Sequence, residues 1–246
     1  MSVRAQATTR AFRWFPDNRS LLLTEYAQGA NGRFRRLDLT NGKVTSLFQP
    51  PPGNQGFWGA VSPDGRAIFY GLRDQDSVDP KNPNKVPFTR LARRDLETGE
   101  ETYLARVRAW VLPSLATSAD GRYVAFHAFC ENKEEQCLWA VPLSGGEARQ
   151  LPAPKGRFIQ GYGIAWTPRS EGVFATLTDD PAGIEHSAIW YLPLDGSEPH
   201  RLEIPFRQVS MPAVHPTGAQ IGFTEGSTTG HVSVMKNLFP QKWAVR

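Results

Sequence analysis

Gly59-Ala-Val-Ser-Pro-Asp-Gly-Arg-Ala-Ile-Phe-Tyr70 decides the fold. Two apolar, strand-like runs meet at Ser62-Pro63-Asp64-Gly65. Proline presets φ at the second turn position, Asp64 accepts the bridge or left-handed region, and Gly65 leaves the turn without a Cβ clash. The same slot is filled by Phe15-Pro16-Asp17-Asn18, Ser118-Ala119-Asp120-Gly121, Thr167-Pro168-Arg169-Ser170 and His215-Pro216-Thr217-Gly218. The second positions are spaced by 47 to 56 residues. A repeat of that length belongs to propeller arrays.

Around each turn the chain repeats one order of strands. Unit one runs Ala11–Phe15, Ser20–Tyr26, Phe34–Leu39 and Lys43–Phe48, with Asn41-Gly42 marking its second hairpin. Unit two adds a polar, proline-broken insertion at Arg73–Val86. Units three and four repeat the order, and unit five stops after three strands near Asn237–Pro240. The blades are expected at 10–50, 53–105, 108–152, 156–203 and 207–240, as a single domain over 1–246. Residues 1–9 are expected to supply the last sheet's missing strand, Ser2–Thr8 lying beside His231–Lys236, because an unpaired edge invites aggregation. The innermost strands carry Ala60, Ala116, Ala165 and Ala213 at one depth, with Arg13 departing. The next slot is bulky, Trp14, Val61, Thr117, Trp166 and Val214, and is expected to pack between sheets.

Composition bounds the rest. The 22 glycines and 20 prolines are spread as turn punctuation, as many short strands require. No apolar run is long enough to span a membrane, and Met1–Arg10 lacks the apolar stretch of a signal peptide. The chain therefore stays in the cytosol or an export segment lies upstream. A net charge of +4 looks basic, yet Arg33–Arg36 and Arg90–Arg94 fall on strands whose alternation sends neighbours to opposite faces. That dilution argues against nucleic-acid binding.

The units resemble the TolB-like, WD40-like β-propeller repeat: an apolar strand, S-P-D-G, a return strand like R-A-I-F-Y, and then a D-L-x-x-G-like turn. That second turn is seen at Asp38–Gly42 and Asp95–Gly99, and more loosely at Pro142–Gly146 and Pro193–Ser197. The resemblance covers Ala11–Pro240 and implies an all-β propeller of about five four-stranded blades. Since such rings usually have six blades, a partial ring is the alternative. The ending V-S-V-M-K-N-L-F-P resembles propeller regions of bacterial kinases and regulators, implying a natural C-terminus and an N-terminal signalling domain upstream.

Few residues suggest chemistry. Cys130 and Cys137 flank one hairpin loop, an even count that favours a disulfide over two thiols and so a periplasmic or extracellular home over a cytoplasmic one. No Cys or His cluster has metal-ligand spacing, so neither metal nor cofactor is expected. His215 takes the serine slot of its turn and reads as structural. Asp74, Asp76, Asp79, Asp179 and Asp180 read as acids of solvated loops. Phe57, Trp58, Trp110 and Tyr162 enter innermost strands, either as packing between sheets or as a rim platform that stacks on a ligand. The expected function is a non-enzymatic recognition, scaffold or sensor module for a protein, peptide or small ligand. The alternatives are a five-bladed glycoside hydrolase and the accessory propeller of a serine peptidase. No catalytic residue is singled out.

Overall fold

A computed structural model describes residues 8–26, 32–51, 58–131, 135–180, 186–206, 208–215, 217–226 and 231–236. Of these, the side chains of 8–12, 26, 160–162 and 231–236 are left undescribed. The described chain is all β apart from one short turn of 3-10 helix, Gln75–Ser77. It divides into two compact units, Met1–Leu115 and Ala116–Arg246.

The first unit holds two antiparallel meanders. One is β1 (Thr8–Trp14), β2 (Ser20–Tyr26), β3 (Arg33–Asp38) and β4 (Val44–Phe48). The other is β5 (Gly59–Val61), β6 (Ala67–Arg73), β7 (Phe88–Asp95) and β8 (Glu101–Arg108). The division falls inside β9 (Leu115–Thr117), which heads the third sheet with β10 (Tyr123–Phe129), β11 (Gln136–Pro142) and β12 (Arg149–Leu151). The fourth sheet is β13 (Phe158–Trp166), β14 (Gly172–Thr178), β15 (Ala188–Pro193) and β16 (His200–Arg201). The fifth is β17 (Val209–Val214), β18 (Gln220–Glu225) and β19 (His231–Lys236).

The repeated turn explains itself chemically. Ser62 Oγ donates to Asp64 Oδ1 at 2.5 Å and accepts the Ala67 amide at 2.8 Å, while Asp64 Oδ1 takes the Arg66 amide at 3.0 Å. Ser118 and Asp120 repeat all three bonds around Arg122 and Tyr123. Phe15 has no hydroxyl, and there Asp17 Oδ1 takes the equivalent Ser20 amide at 2.9 Å. His215 fills the slot with its ring: the Thr217 hydroxyl lies 2.8 Å from Nδ1. The fourth position is left-handed in every copy, with φ from 55° to 74° at Asn18, Gly65, Gly121, Ser170 and Gly218. Glycine is the unstrained choice there, and asparagine tolerates it best among the rest. A second recurrent bond ties each of the first four meanders: the amides of Leu39, Leu96, Leu143 and Leu194 donate to the carbonyls of Arg19, Arg66, Arg122 and Glu171.

Several boundaries depart from expectation. Thr8 and Thr9 pair with Tyr26 and Glu25, so β1 begins inside the first sheet and these two residues do not complete the fifth. Residues 1–7, the rest of that expected strand, lie outside the described residues. The second sheet runs to Arg108 rather than 105, because Phe88 still pairs with Arg108. Of the bulky slots, Val61 and Trp166 are buried, but Trp14 is 58% exposed. The slot packs on the preceding sheet, as Trp166 does on Ala116 and Tyr123, and within its unit the first sheet has none before it.

Both units bury mixed aliphatic and aromatic cores. In the first, Phe15, Leu22, Phe34, Ile68, Tyr70 and Ala92 pack together. In the second, one cluster gathers Leu138, Leu151, Trp166, Val173 and Leu177, and another Phe174, Ile189, Tyr191, Ile221 and Phe223. The arginine-rich strands are largely matched by acids: Arg35 with Glu25, Arg36 with Asp17, Arg94 with Glu101, and both Arg90 and Arg106 with Asp74.

The cysteines are bonded. Cys130 and Cys137 stand with Cα atoms 5.1 Å apart at the loop end of the β10–β11 hairpin, where Ala128 pairs with Cys137. The bond closes a short loop, and replacing both cysteines by serine is expected to cost roughly 2.5 kcal/mol by the chain-entropy argument. Urea unfolding of the double variant measures this, and a loss near zero would mean that the hairpin holds its register without the bond.

Candidate ligand groove

In the second unit, the turn-bearing ends of the third and fourth sheets leave a groove of about 640 Å³. One wall comes from Arg122 and Tyr123, just past the third central turn, and from Arg149 at the start of β12. The other comes from Arg169–Glu171 in the fourth central turn, and from Tyr191, Asp195 and His200 around the outer hairpin.

Its aromatic groups are held in place. Tyr123 stacks on Trp166 with centroids 6.2 Å apart, and the Trp166 indole N–H donates to the Ala116 carbonyl at 2.8 Å. The Arg122 and Arg149 guanidiniums lie 5.9 Å and 5.7 Å from the Tyr123 ring, where the ring quadrupole attracts a cation. Arg122 is further fixed by Asp120, Nε to Oδ2 at 2.6 Å. Burial works against the Asp120 charge, but bonds from Ser118 and Arg122 outweigh it and hold the carboxyl below its ordinary range. Burial pushes the Tyr191 phenol up to about 12, with the charges of Glu171 and Asp195 adding to it. Tyr191 therefore stays a neutral hydrogen-bonding group at any physiological pH. The amide and hydroxyl of Ser197 hold the Asp195 carboxyl below its ordinary range. Among the described residues, no group of three or more His, Cys, Asp or Glu side chains could hold a metal ion.

The aromatic residues expected to form a platform are not what builds this groove. Phe57 lies outside the described residues, and so does the side chain of Tyr162, whose backbone is in β13. Trp58 is half-buried. Trp110 is 37% exposed, its carbonyl accepting from Arg73 Nη2 at 3.2 Å and its ring lying 5.9 Å from the same guanidinium. Asp74 also departs from its expected place in a solvated loop. It is 5% exposed, taking Arg90 Nη2 at 2.9 Å and Arg106 Nε at 2.8 Å, because the insertion folds back onto β7 and β8.

The expected rim aromatics enter the innermost strands, whereas the groove is made by residues leaving the turns. The signal available was the residue after the fourth turn position, Arg122 after Gly121 and Glu171 after Ser170, with Tyr123 directly behind the first. A serine, histidine and aspartate do meet at the other end of the fourth sheet, but they form no catalytic relay. Ser187 Oγ is locked onto the Val209 amide and carbonyl at 3.0 Å and 2.9 Å, and His186 Nδ1 stands 3.6 Å from Asp179, too far for a hydrogen bond.

No family model matches the sequence, and no curated protein does. Solved structures do. TolB from Acinetobacter baumannii matches with a TM-score of 0.73 at 14% identity, over 96% of this chain and 53% of that one. An oligogalacturonate lyase in complex with manganese matches at 0.66 and 18% identity, over 95% of this chain and 62% of that one. A chain of a nidogen/laminin complex matches at 0.66 and 13% identity, over 97% of this chain and 82% of that one. The fold is that of a TolB-like β-propeller. The chain spans about half the length of the TolB and under two-thirds of the lyase.

Proposed function

We propose that this protein is a recognition module, which holds a peptide segment of a protein partner in the groove between its third and fourth sheets. The observation that carries the reading is the Tyr123 ring, stacked on Trp166 and flanked by two guanidiniums. Fixed tyrosine and arginine side chains dominate the affinity of protein interfaces, since they bring large contact area at little ordering cost. The volume, about 640 Å³, suits a few residues of a bound chain.

The competing reading is hydrolysis, favoured by the two carboxylates of Glu171 and Asp195 in one groove. A general acid needs a raised pKa, whereas Asp195 is held low by the Ser197 bonds of its own turn. Asp195 could then serve only as a base or nucleophile, while the Tyr123 platform stacked on Trp166, which hydrolysis does not require, favours binding.

The test is selection of peptides from a displayed library on the purified protein. Arg149→Ala, at an exposed position, is expected to weaken the selected peptides by about tenfold, the loss typical of a desolvated cation–ring contact at an interface. Tyr123→Ala should weaken them further. Peptides that bind both variants as tightly as the parent would contradict the groove as the site.

The bonded cysteines support a working place in an oxidising compartment, the periplasm or outside the cell. Among the described residues no helix is long and apolar enough to cross a membrane. Thiol titration of protein taken from its native compartment should find no free thiol. Two free thiols per chain would refute the assignment.

A further inference from the structure

We propose that a second, smaller cavity in the fourth sheet binds an organic monocarboxylate carrying a flat apolar group. It lies away from the turns, has a volume of about 290 Å³, and shares no lining residue with the groove. Ligand sites run from roughly 300 Å³ upward, so the occupant is a small molecule and not a polypeptide.

The charge balance of the cavity identifies the ligand's charge. Arg157 enters ahead of β13 and pairs with Asp179 beyond β14, Nη1 to Oδ2 at 3.2 Å. Arg201 in β16 also lines the cavity, and among the described residues it has no carboxylate partner. Among the described residues that line the cavity, two guanidiniums therefore face one carboxylate, and one positive charge is left over before His186 is counted. A guanidinium presents a planar fork of donors that matches a carboxylate in two parallel bonds. A monoanion balances the site. A phosphate dianion would set its second charge against Asp179.

Trp190 supplies the rest of the recognition. It stands directly across the β15–β16 ladder from Arg201 and is half-buried. Cross-strand neighbours share one face of a sheet, so the indole and the guanidinium lie side by side. An acid with a ring or other flat group attached can put its carboxylate on Arg201 and its apolar face on the indole. Ser187, committed to the Val209 backbone, takes no part.

The experiment titrates the intact protein with benzoate, benzamide and inorganic phosphate, using calorimetry or ligand-observed NMR. Benzoate is expected to bind saturably, benzamide about tenfold or more weakly, and phosphate should fail to displace benzoate. Arg201→Gln is expected to lower benzoate affinity about tenfold without moving the melting temperature, because the residue it replaces is exposed. Trp190→Leu should weaken benzoate while leaving the binding of acetate, added as a ringless control, unchanged. No saturable benzoate binding up to about 10 mM, the weak end of measurable affinity, would overturn the proposal. So would equal binding of phosphate, or an affinity indifferent to Arg201→Gln. None of these outcomes bears on the peptide groove, which is tested by its own variants.

Discussion

Phe34→Ala is expected to lower the stability of the first unit by about 4 kcal/mol, within the range found for emptying a buried phenylalanine site. The ring is fully buried. It stacks on Phe48 with centroids 4.8 Å apart and tilts against Tyr70 at 5.4 Å, so three aromatic rings share one contact. It also fills the space over Gly59, where an added Cβ would come within 2.6 Å of the Phe34 ring. Glycine is thus required at residue 59 by close approach, and the second sheet's first strand abuts the first sheet's third through this one ring. Removing the ring leaves a void among Phe48, Tyr70 and Leu22, side chains fixed by the same core. Urea unfolding monitored by circular dichroism measures the loss. Phe34→Leu, which keeps most of the volume, should recover the greater part of it. A loss under about 1 kcal/mol for the alanine variant would mean that the two sheets do not depend on this core.

Asp74→Ala is expected to cost about 3 kcal/mol, the lower end for breaking a buried ion pair, because the two arginines left behind are partly exposed. The backbone of the same residue, together with Ser77, ties down the start of the insertion. The Asp74 amide donates to the Phe88 carbonyl at 2.9 Å, and Ser77 Oγ donates to the Asp74 carbonyl at 2.6 Å and accepts the Phe88 amide at 2.8 Å. The hydrogen bond from Arg106 holds the Asp74 carboxyl below its ordinary value of 3.8, burial opposing it and the Arg90 charge assisting. A depressed carboxylate contributes stability that is fully present above its unfolded pKa and is lost as pH falls through the folded one. The parent should therefore lose this contribution only below about pH 4, and Asp74→Asn should show a flatter acid limb. Identical acid limbs in the two proteins would contradict the ion-pair account.

Much of the architecture is legible in the sequence because its determinants are local. A serine, an aspartate and a glycine within four residues settle their own hydrogen bonds, as the Ser62 and Ser118 turns do. Substituted copies stay readable where the chemistry is kept, Asn18 and Ser170 taking the left-handed position and His215 Nδ1 accepting the Thr217 amide. The disulfide is legible for the same reason, since one hairpin brings Cys130 to Cys137. What escapes is whatever depends on packing between sheets. Asp74 reads as one acid among several until the insertion folds onto Arg90 and Arg106, residues 16 and 32 positions away. The groove joins Tyr123 to Tyr191 and His200 across two sheets, and no spacing in the chain announces that meeting. Trp14 misleads because its slot is defined by a neighbouring sheet, not by its own strand.

The most direct test of the recognition reading is amide hydrogen exchange of the intact protein with and without a selected peptide. Protection is predicted to rise at the amides of 120–123, 149–151, 169–171 and 191–201, the turns and strand ends that wall the groove, and to stay unchanged on β1 through β8. Protection elsewhere, or cleavage of the peptide during the experiment, would contradict the account.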